Sequence, residues 1–179
     1  MPSTLDWHCK PEESDMIIAV MSDSHDNIWK LREALAIIKN ENAGMIIHCG
    51  DFVAPFMLKE LHAASIPVHG VFGNNDGDQH LLTKFSLTSM TNVIFHGLVG
   101  QVDIEGFKLA FTHQEVVGEG LAYSGNFNLV CFGHSHEYMQ KNINRTILLN
   151  PGEIMGKDGL PGFCLVDTAT TVITRVDLM

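Results

Sequence analysis

Carboxylate, imidazole and amide side chains recur directly after short apolar runs of this sequence. Seven of them could bind metal ions: Asp23, His25, Asp51, Asn74, His113, His134 and His136. A mixture of oxygen and imidazole ligands suits Mn²⁺, Ni²⁺, Zn²⁺ or Fe²⁺ better than Ca²⁺ or Cu⁺. Because seven ligands exceed what one tetrahedral ion takes, the pattern predicts two divalent ions that share a carboxylate. Asp51 is the natural bridge, and Mn²⁺ is the expected metal.

The spacing within two segments lets paired ligands face one pocket. Asp23-Ser24-His25 and His134-Ser135-His136 each separate two ligands by one residue. In an extended segment, residues two apart point to the same side. Each pair can therefore reach a common site.

The apolar runs predict the elements that must position these ligands. Runs at 16–21, 45–49 and 68–72 are typical of buried strands, and the intervening segments 28–44 and 55–64 have helical signals. This alternation predicts a largely parallel sheet covered by helices. Since open α/β sheets bind ligands at the carboxyl ends of their strands, the candidate ligands stand where a site is expected.

The second half of the chain, after about residue 85, changes to short β-like runs. Turns are predicted at Glu105-Gly106 and Asn144-Arg145, and 118–125 reads as a loop or a short helix. The combined pattern predicts an α/β (α+β) fold with two sheets. The stretch 22–27 offers several possible caps for the first helix, and Asp26 is predicted to be a helix cap rather than a ligand. His48 is predicted to pack in the core or support the site, and Asp78 to be solvated.

Composition limits the partners and the compartment. A formal net charge of −10 with only 11 Lys and Arg argues against general nucleic-acid binding, although metal charge could still attract a small phosphorylated substrate. Four dispersed cysteines and no membrane-length apolar run predict a cytoplasmic protein that binds no membrane. We expect a polar N-terminal extension at 1–15 and one domain at 16–179. Homo-oligomerisation is left open.

Five segments together resemble the motif series of the calcineurin-like metallophosphoesterases. They are Asp23-Ser24-His25, Gly50-Asp51, Gly73-Asn74-Asn75-Asp76, His113 and Gly133-His134-Ser135-His136. Over about 16–176, the chain is most similar to the small single-domain phosphodiesterases of the YfcE type. The resemblance implies a four-layer αββα sandwich of two mixed sheets flanked by helices.

The same resemblance implies a dinuclear site and a reaction. One ion would be held by Asp23, His25, Asp51 and His136, and the other by Asp51, Asn74, His113 and His134. A hydroxide bridging the two ions would attack phosphorus in line with the leaving oxygen, most often in a phosphodiester. Asp76 and Asn150 are candidates for fixing the imidazole tautomers from behind the ligands.

Three residues depart from the pattern of the family. Asn75 is a candidate catalytic and substrate-binding position, and it stands where many relatives carry a histidine that protonates the leaving group. Since asparagine cannot do this, either the leaving group is a good one or another acid acts. Glu115 replaces an imidazole expected near the substrate, where it could repel phosphate, narrow the substrate range or approach a metal. Glu153 replaces a serine and adds a second carboxylate near the predicted phosphate site.

Two alternatives to an enzyme remain. The retromer subunit that resembles these phosphodiesterases is a non-catalytic interaction module, so the fold alone does not establish catalysis. A purely structural metal site is disfavoured because structural zinc prefers closed, cysteine-rich shells. The complete set of seven ligands favours the enzyme, because a scaffold has no need of them.

Overall fold

The computed structural model describes residues 16–179, so the predicted extension at 1–15 lies outside the described residues. The described chain forms eleven strands and four helices. In order they are β1 Ile17–Met21, α1 Ile28–Asn40, β2 Met45–His48, α2 Met57–Ala63, β3 Val68–Gly70, α3 Gln79–Thr88, β4 Val93–Phe95, β5 Val99–Ile104, β6 Phe107–Thr112, α4 Glu115–Tyr123, β7 Leu129–Cys131, β8 Tyr138–Ile143, β9 Thr146–Pro151, β10 Gly162–Asp167 and β11 Ile173–Asp177. None of the helices within 16–179 has both the length and the apolar character needed to cross a membrane.

The strands form two mixed sheets. The first has the order β11-β10-β1-β2-β3-β4, in which β1 to β4 are parallel to one another. β10 pairs antiparallel with β1, and β11 pairs antiparallel with β10 at the edge of the sheet. The second has the order β5-β6-β7-β9-β8, with three parallel central strands between antiparallel edges. The parallel first half predicted from the sequence is confirmed.

Three apolar cores separate four layers. Leu31, Ile38 and Leu58 of α1 and α2 pack in the core on the outer side of the first sheet. Alternate residues of the two sheets, such as Val20 and Phe111, meet in the core between the sheets. A third core joins α4 to the second sheet. The predicted four-layer αββα arrangement is confirmed.

A side chain caps the N-terminus of the first helix, α1. The Asn27 side chain accepts a hydrogen bond from the Lys30 backbone N–H, which satisfies a donor that the first turn leaves free. Asn27 lies within the stretch that offered possible caps, but the capping role expected of Asp26 was wrong, because its carboxylate accepts from the Ala54 N–H instead. The helix ends at Asn40, before the predicted Gly44, and the chain turns through Asn42 at φ +54°.

Two helices in the middle of the chain differ from the sequence expectations. α3 is a helix that was not expected from the sequence. The Asp78 side chain, predicted to be solvated, accepts from the Leu81 N–H at 3.0 Å and caps the first turn of this helix. The segment left open between a loop and a helix is α4, which begins three residues earlier than expected. The predicted turn at Glu105-Gly106 is confirmed, with both residues at positive φ as a tight hairpin requires.

Candidate metal centre

All seven predicted ligands follow parallel strands of the two sheets. Those of the first sheet follow β1, β2 and β3, and those of the second follow β6 and β7. Because the carboxyl ends of parallel strands share an edge and the sheets lie face to face, the connecting loops converge. The structure brings the seven side chains into one continuous group of neighbours, as the distances below show.

Five of the seven ligands occupy the left-handed region of the backbone. The φ values are +53° for Asp23, +38° for His25, +59° for Asp51, +69° for His134 and +64° for His136. Residues other than glycine rarely adopt such angles, and those that do concentrate at functional sites. The unusual backbone conformation therefore occurs at the residues whose side chains form the candidate metal centre.

The first ligand group contains Asp23, His25 and His136. Asp23 Oδ1 lies 3.4 Å from His136 Nε2 and 3.8 Å from His25 Nε2. Within residues 16–179, Asp23 Oδ1 and His25 Nε2 are buried and make no hydrogen bond. Buried polar atoms normally have a partner, so this pair of lone-pair donors fits a bound cation.

The second ligand group is centred on the Asn74 amide oxygen. Asn74 Oδ1 lies 2.9 Å from His113 Nε2 and 2.8 Å from His134 Nδ1. An amide oxygen and two imidazole nitrogens at these separations can all reach one ion. This set is the borderline donor type that divalent transition metals accept.

Asp51 connects the two ligand groups. Its Oδ2 atom lies 3.2 Å from His25 Nε2 and 3.5 Å from His113 Nε2. Burial alone would raise the pKa of Asp51, but His25 and the two N–H donors of Asn75 outweigh it and hold that pKa below its usual value. Asp51 therefore stays ionised, and a single oxygen of its carboxylate lies close to an imidazole of each group.

The charge of the centre fits divalent cations. The carboxylates of Asp23 and Asp51 raise the pKa of His25 from 6.5 to about 9. A proton on this imidazole offsets negative charge that a metal ion would otherwise neutralise. Imidazole and carboxylate ligands must both be deprotonated to bind metal, so a metal ion would displace that proton.

The imidazoles are oriented from behind by groups other than those expected. His113 Nδ1 lies 2.8 Å from the Cys49 carbonyl oxygen, and His136 Nδ1 lies 2.8 Å from Glu153 Oε2. Both contacts turn Nε2 toward the centre and favour the tautomer that can bind metal there. The Cys49 contact could not be predicted from the sequence, because every residue has a backbone carbonyl and the contact depends on the fold.

Asp76 and Asn150 support loops rather than imidazoles. The buried Asp76 carboxylate accepts from the N–H groups of Asp51, Val53 and Gly73, which fixes the loops after β2 and β3 to each other. Burial raises the pKa of Asp76. The Asn150 side chain donates to the Gly133 carbonyl and to Ser135 Oγ, and so holds the loop after β7.

A cleft of about 470 Å³ opens over the centre. Its lining includes Asn75, Lys157 and Asp158 beside the ligands. Lys157 was not identified from the sequence, because only the fold brings the loop after β9 to this edge. Glu115 is exposed in the first turn of α4 and is not among the residues that line the cleft.

Two other predicted residues have clear positions. Glu153 was expected to add charge beside the phosphate, but it is fully buried behind His136. His48 is buried, stacks on Phe52 at 3.8 Å between ring centroids and accepts from the Gly50 N–H, as a packed core residue would. Burial lowers the pKa of His48 to about 3.

Solved structures show how widely this architecture occurs. An archaeal phosphodiesterase aligns with a TM-score of 0.85 at 32% identity, over 91% of this chain and all of that one. Vacuolar protein sorting 29 of Cryptosporidium parvum aligns with a TM-score of 0.68 at 17% identity, over 92% of this chain and 98% of that one. The E. coli phosphoesterase YfcE aligns with a TM-score of 0.65 at 17% identity, over 92% of this chain and all of that one. The last two likenesses concern the fold alone.

Sequence comparisons agree with the geometry. Phosphodiesterase MJ0936 of Methanocaldococcus jannaschii is 33% identical over 155 residues, which are 86% of this chain and 93% of that protein. The model of the calcineurin-like phosphoesterase superfamily domain matches residues 16–171. The chain therefore belongs to the calcineurin-like phosphoesterase superfamily, a family of metal-dependent hydrolases of phosphoric esters.

Proposed function

We propose that the protein is a phosphodiesterase with two metal ions. Its first ion would be bound by Asp23, His25, Asp51 and His136, and its second by Asp51, Asn74, His113 and His134. The observation that carries this proposal is the position of Asp51 Oδ2 between His25 Nε2 and His113 Nε2, at 3.2 and 3.5 Å. One carboxylate oxygen between two ligand groups is what a shared bridge requires.

The bound ions would supply a hydroxide for in-line attack on phosphorus and would offset charge on the phosphoryl oxygens. Mn²⁺ is the proposed metal, with Ni²⁺, Zn²⁺ and Fe²⁺ as alternatives, because the mixed ligand set suits all four. Asp76 contributes by holding the Asp51 and Asn74 loops at a fixed distance, through the N–H groups it binds.

Asn75 has a different role from the histidine of many relatives. Its amide donates to Asp51 Oδ2 at 2.7 Å, and the residue lines the cleft. An amide can donate a hydrogen bond to a phosphoryl oxygen but cannot deliver a proton to a leaving group. We therefore infer that the natural substrates have leaving groups that depart without strong acid assistance.

The charge around the cleft favours diesters over monoesters. Among the described residues that line it, Lys157 is the only lysine or arginine, and Asp158 pairs with it at 3.7 Å. A phosphomonoester carries close to two negative charges at neutral pH, whereas a diester carries one. The resemblance to a protein named a phosphodiesterase supports the same substrate class.

We further propose that residues 16–179 form one catalytic domain in the cytoplasm. β10, the second-last strand, pairs with β1, and the loop before β10 lines the cleft, so segments from both halves of the described chain complete the same site. The buried thiols of Cys49, Cys131 and Cys164 suit a reducing compartment. The formal net charge of −10 argues for a small phosphoester rather than a nucleic acid as the partner.

Hydrolysis of bis(p-nitrophenyl) phosphate by metal-stripped protein resupplied with Mn²⁺ tests the proposal. Its good leaving group removes the need for a general acid. We expect Asp51→Asn to lower kcat/KM by more than about 100-fold, since even residues that merely support metal ligands cost ~10–100-fold when changed. Asp78→Asn is the matched control, because asparagine caps α3 as well as aspartate does.

Two results would contradict the proposal. One is equal activity of Asp51→Asn and the wild type. The other is a wild-type protein that binds two ions yet hydrolyses nothing with Mn²⁺, Ni²⁺, Zn²⁺ or Fe²⁺. The second result would favour the non-catalytic interaction module.

A further inference from the structure

The Glu153 carboxylate is fully buried, and both of its oxygens are bound. Oε1 accepts from the backbone N–H groups of Asp158 and Gly159 at 2.7 and 2.8 Å. Oε2 lies 2.8 Å from His136 Nδ1. Burying a carboxylate is costly unless it is well hydrogen-bonded, and here three partners meet that requirement.

This contact determines which nitrogen of His136 is free. An ionised carboxylate only accepts hydrogen bonds, so His136 Nδ1 must carry the proton. The lone pair is then on Nε2, which lies 3.4 Å from Asp23 Oδ1 in the first ligand group. The same contact also fixes the direction in which the ring points.

A second carboxylate is close but placed differently. Asp158 Oδ2 lies 3.3 Å from the same His136 Nδ1, at a longer distance than Glu153 Oε2, and the Asp158 side chain is 55% exposed. Water competes for an exposed carboxylate and screens its charge, so its influence is small. The buried Glu153 is therefore the dominant partner of this imidazole.

We propose that Glu153 is a positioning residue that sets the tautomer and direction of His136 and thereby the affinity of the first metal ion. The inference rests on the proposed function in one respect, which is that His136 binds that ion. Glu153 touches neither the ion nor the substrate, and it acts only through the imidazole.

Glu153→Gln reverses the decisive hydrogen bond with little change in shape. The amide has one acceptor oxygen, and the two N–H groups of Asp158 and Gly159 require it. The amide NH₂ must then face His136, where it donates to Nδ1 and moves the ring proton to Nε2. The variant keeps the loop in place and blocks the nitrogen that should bind metal.

Two measurements follow, neither of which needs catalysis. Calorimetric titration with Mn²⁺ should show two equivalents in both proteins, with the affinity for one of them about 10–100-fold weaker in Glu153→Gln. Long-range ¹⁵N–¹H spectra of the metal-free proteins at mildly alkaline pH should show the His136 proton on Nδ1 in the wild type and on Nε2 in the variant. Glu41→Gln, the same change at the exposed end of α1, should alter neither.

Asp158→Asn provides a second, less invasive variant. We expect it to change the Mn²⁺ affinity by less than about fivefold, as for other exposed ion pairs. An effect as large as that of Glu153→Gln would overturn the proposal, and so would an unchanged affinity and tautomer in Glu153→Gln. Loss of a whole equivalent of metal would also overturn it, because Glu153 would then be a ligand.

The outcome for Glu153 is separable from that of the proposed function. A wild-type protein that binds two ions but hydrolyses no ester would overturn the phosphodiesterase proposal alone. The titration and the spectra would still decide whether Glu153 positions His136.

Discussion

Gly73 offers a strict test of how closely the two ligand loops must approach. It lies between β3 and Asn74, and its backbone N–H donates to Asp76. A Cβ atom at this position would stand 2.1 Å from Asp51 Oδ1 and 2.6 Å from the Asp51 backbone nitrogen. Rotation of the Asp51 side chain could relieve the first clash but not the second, so Gly73→Ala must push the loops apart.

The size of the effect follows from that clash. Ordinary Cβ contacts begin near 3.4 Å, so the loops carrying Asp51 and Asn74 must separate by close to 1 Å. Overpacking of this kind costs about 1–3 kcal/mol of unfolding free energy. For a chain of this length, each kcal/mol lowers the Tm by roughly 2–4 °C. A misplacement of about 1 Å at a catalytic centre costs roughly 100-fold in rate.

Thermal unfolding, Mn²⁺ titration and diester hydrolysis would be measured on Gly73→Ala. Gly77→Ala is the matched control, because a Cβ there meets nothing within 4 Å and the residue lies in the same connection. We expect Gly77→Ala to match the wild type in all three assays. Wild-type metal affinity and activity in Gly73→Ala would refute the inference that the close approach of these loops sets the metal geometry.

Three further predictions concern single residues. Gly120→Ala should raise the unfolding free energy by about 0.5–1 kcal/mol in urea titrations, since the site is open and lies inside α4; destabilisation would contradict this. Burial lowers the pKa of His48 from 6.5 to about 3. As the pH drops below 6.5, His48 is protonated in the unfolded chain but not in the folded one, so the unfolding free energy decreases. The metal-free variant His48→Asn keeps an acceptor for the Gly50 N–H, and between pH 6 and 4 its unfolding free energy should decrease less than that of the wild type, by about 1.4 kcal/mol per pH unit. Equal pH dependence of the unfolding free energy in the two proteins would contradict a lowered His48 pKa. Asn75→His should raise hydrolysis rates of diesters with poor leaving groups more than those with good ones, and an equal change for both would exclude a new general acid.

Much of the centre could be predicted because ligand types and strand ends are local features. Asp51 follows an apolar run closed by Gly50, and that pattern alone indicates a strand whose carboxyl end bears a carboxylate. The order of the five motifs then identified the family and, with it, the four-layer fold. The structure confirms that fold and places the seven side chains side by side.

Other features depend on contacts that the sequence does not record. α3 has only a narrow buried face, in which Leu82 is the one buried apolar residue, so its sequence carries a weak helical signal, and the capping role of Asp78 depends on that helix. The chain turns at Gly152, with φ +75°, and so places Glu153 inward behind His136 rather than toward the phosphate. The roles of the Cys49 carbonyl and of Lys157 likewise require the packed fold.

The central claim is that one oxygen of Asp51 joins two metal ions. Anomalous diffraction from crystals grown with Mn²⁺ measures this directly. We predict two peaks roughly 3.5–4 Å apart, with Asp51 Oδ2 between them. The first should lie among Asp23, His25 and His136, and the second beside Asn74. A single peak, or a second peak away from Asp51, would contradict the claim.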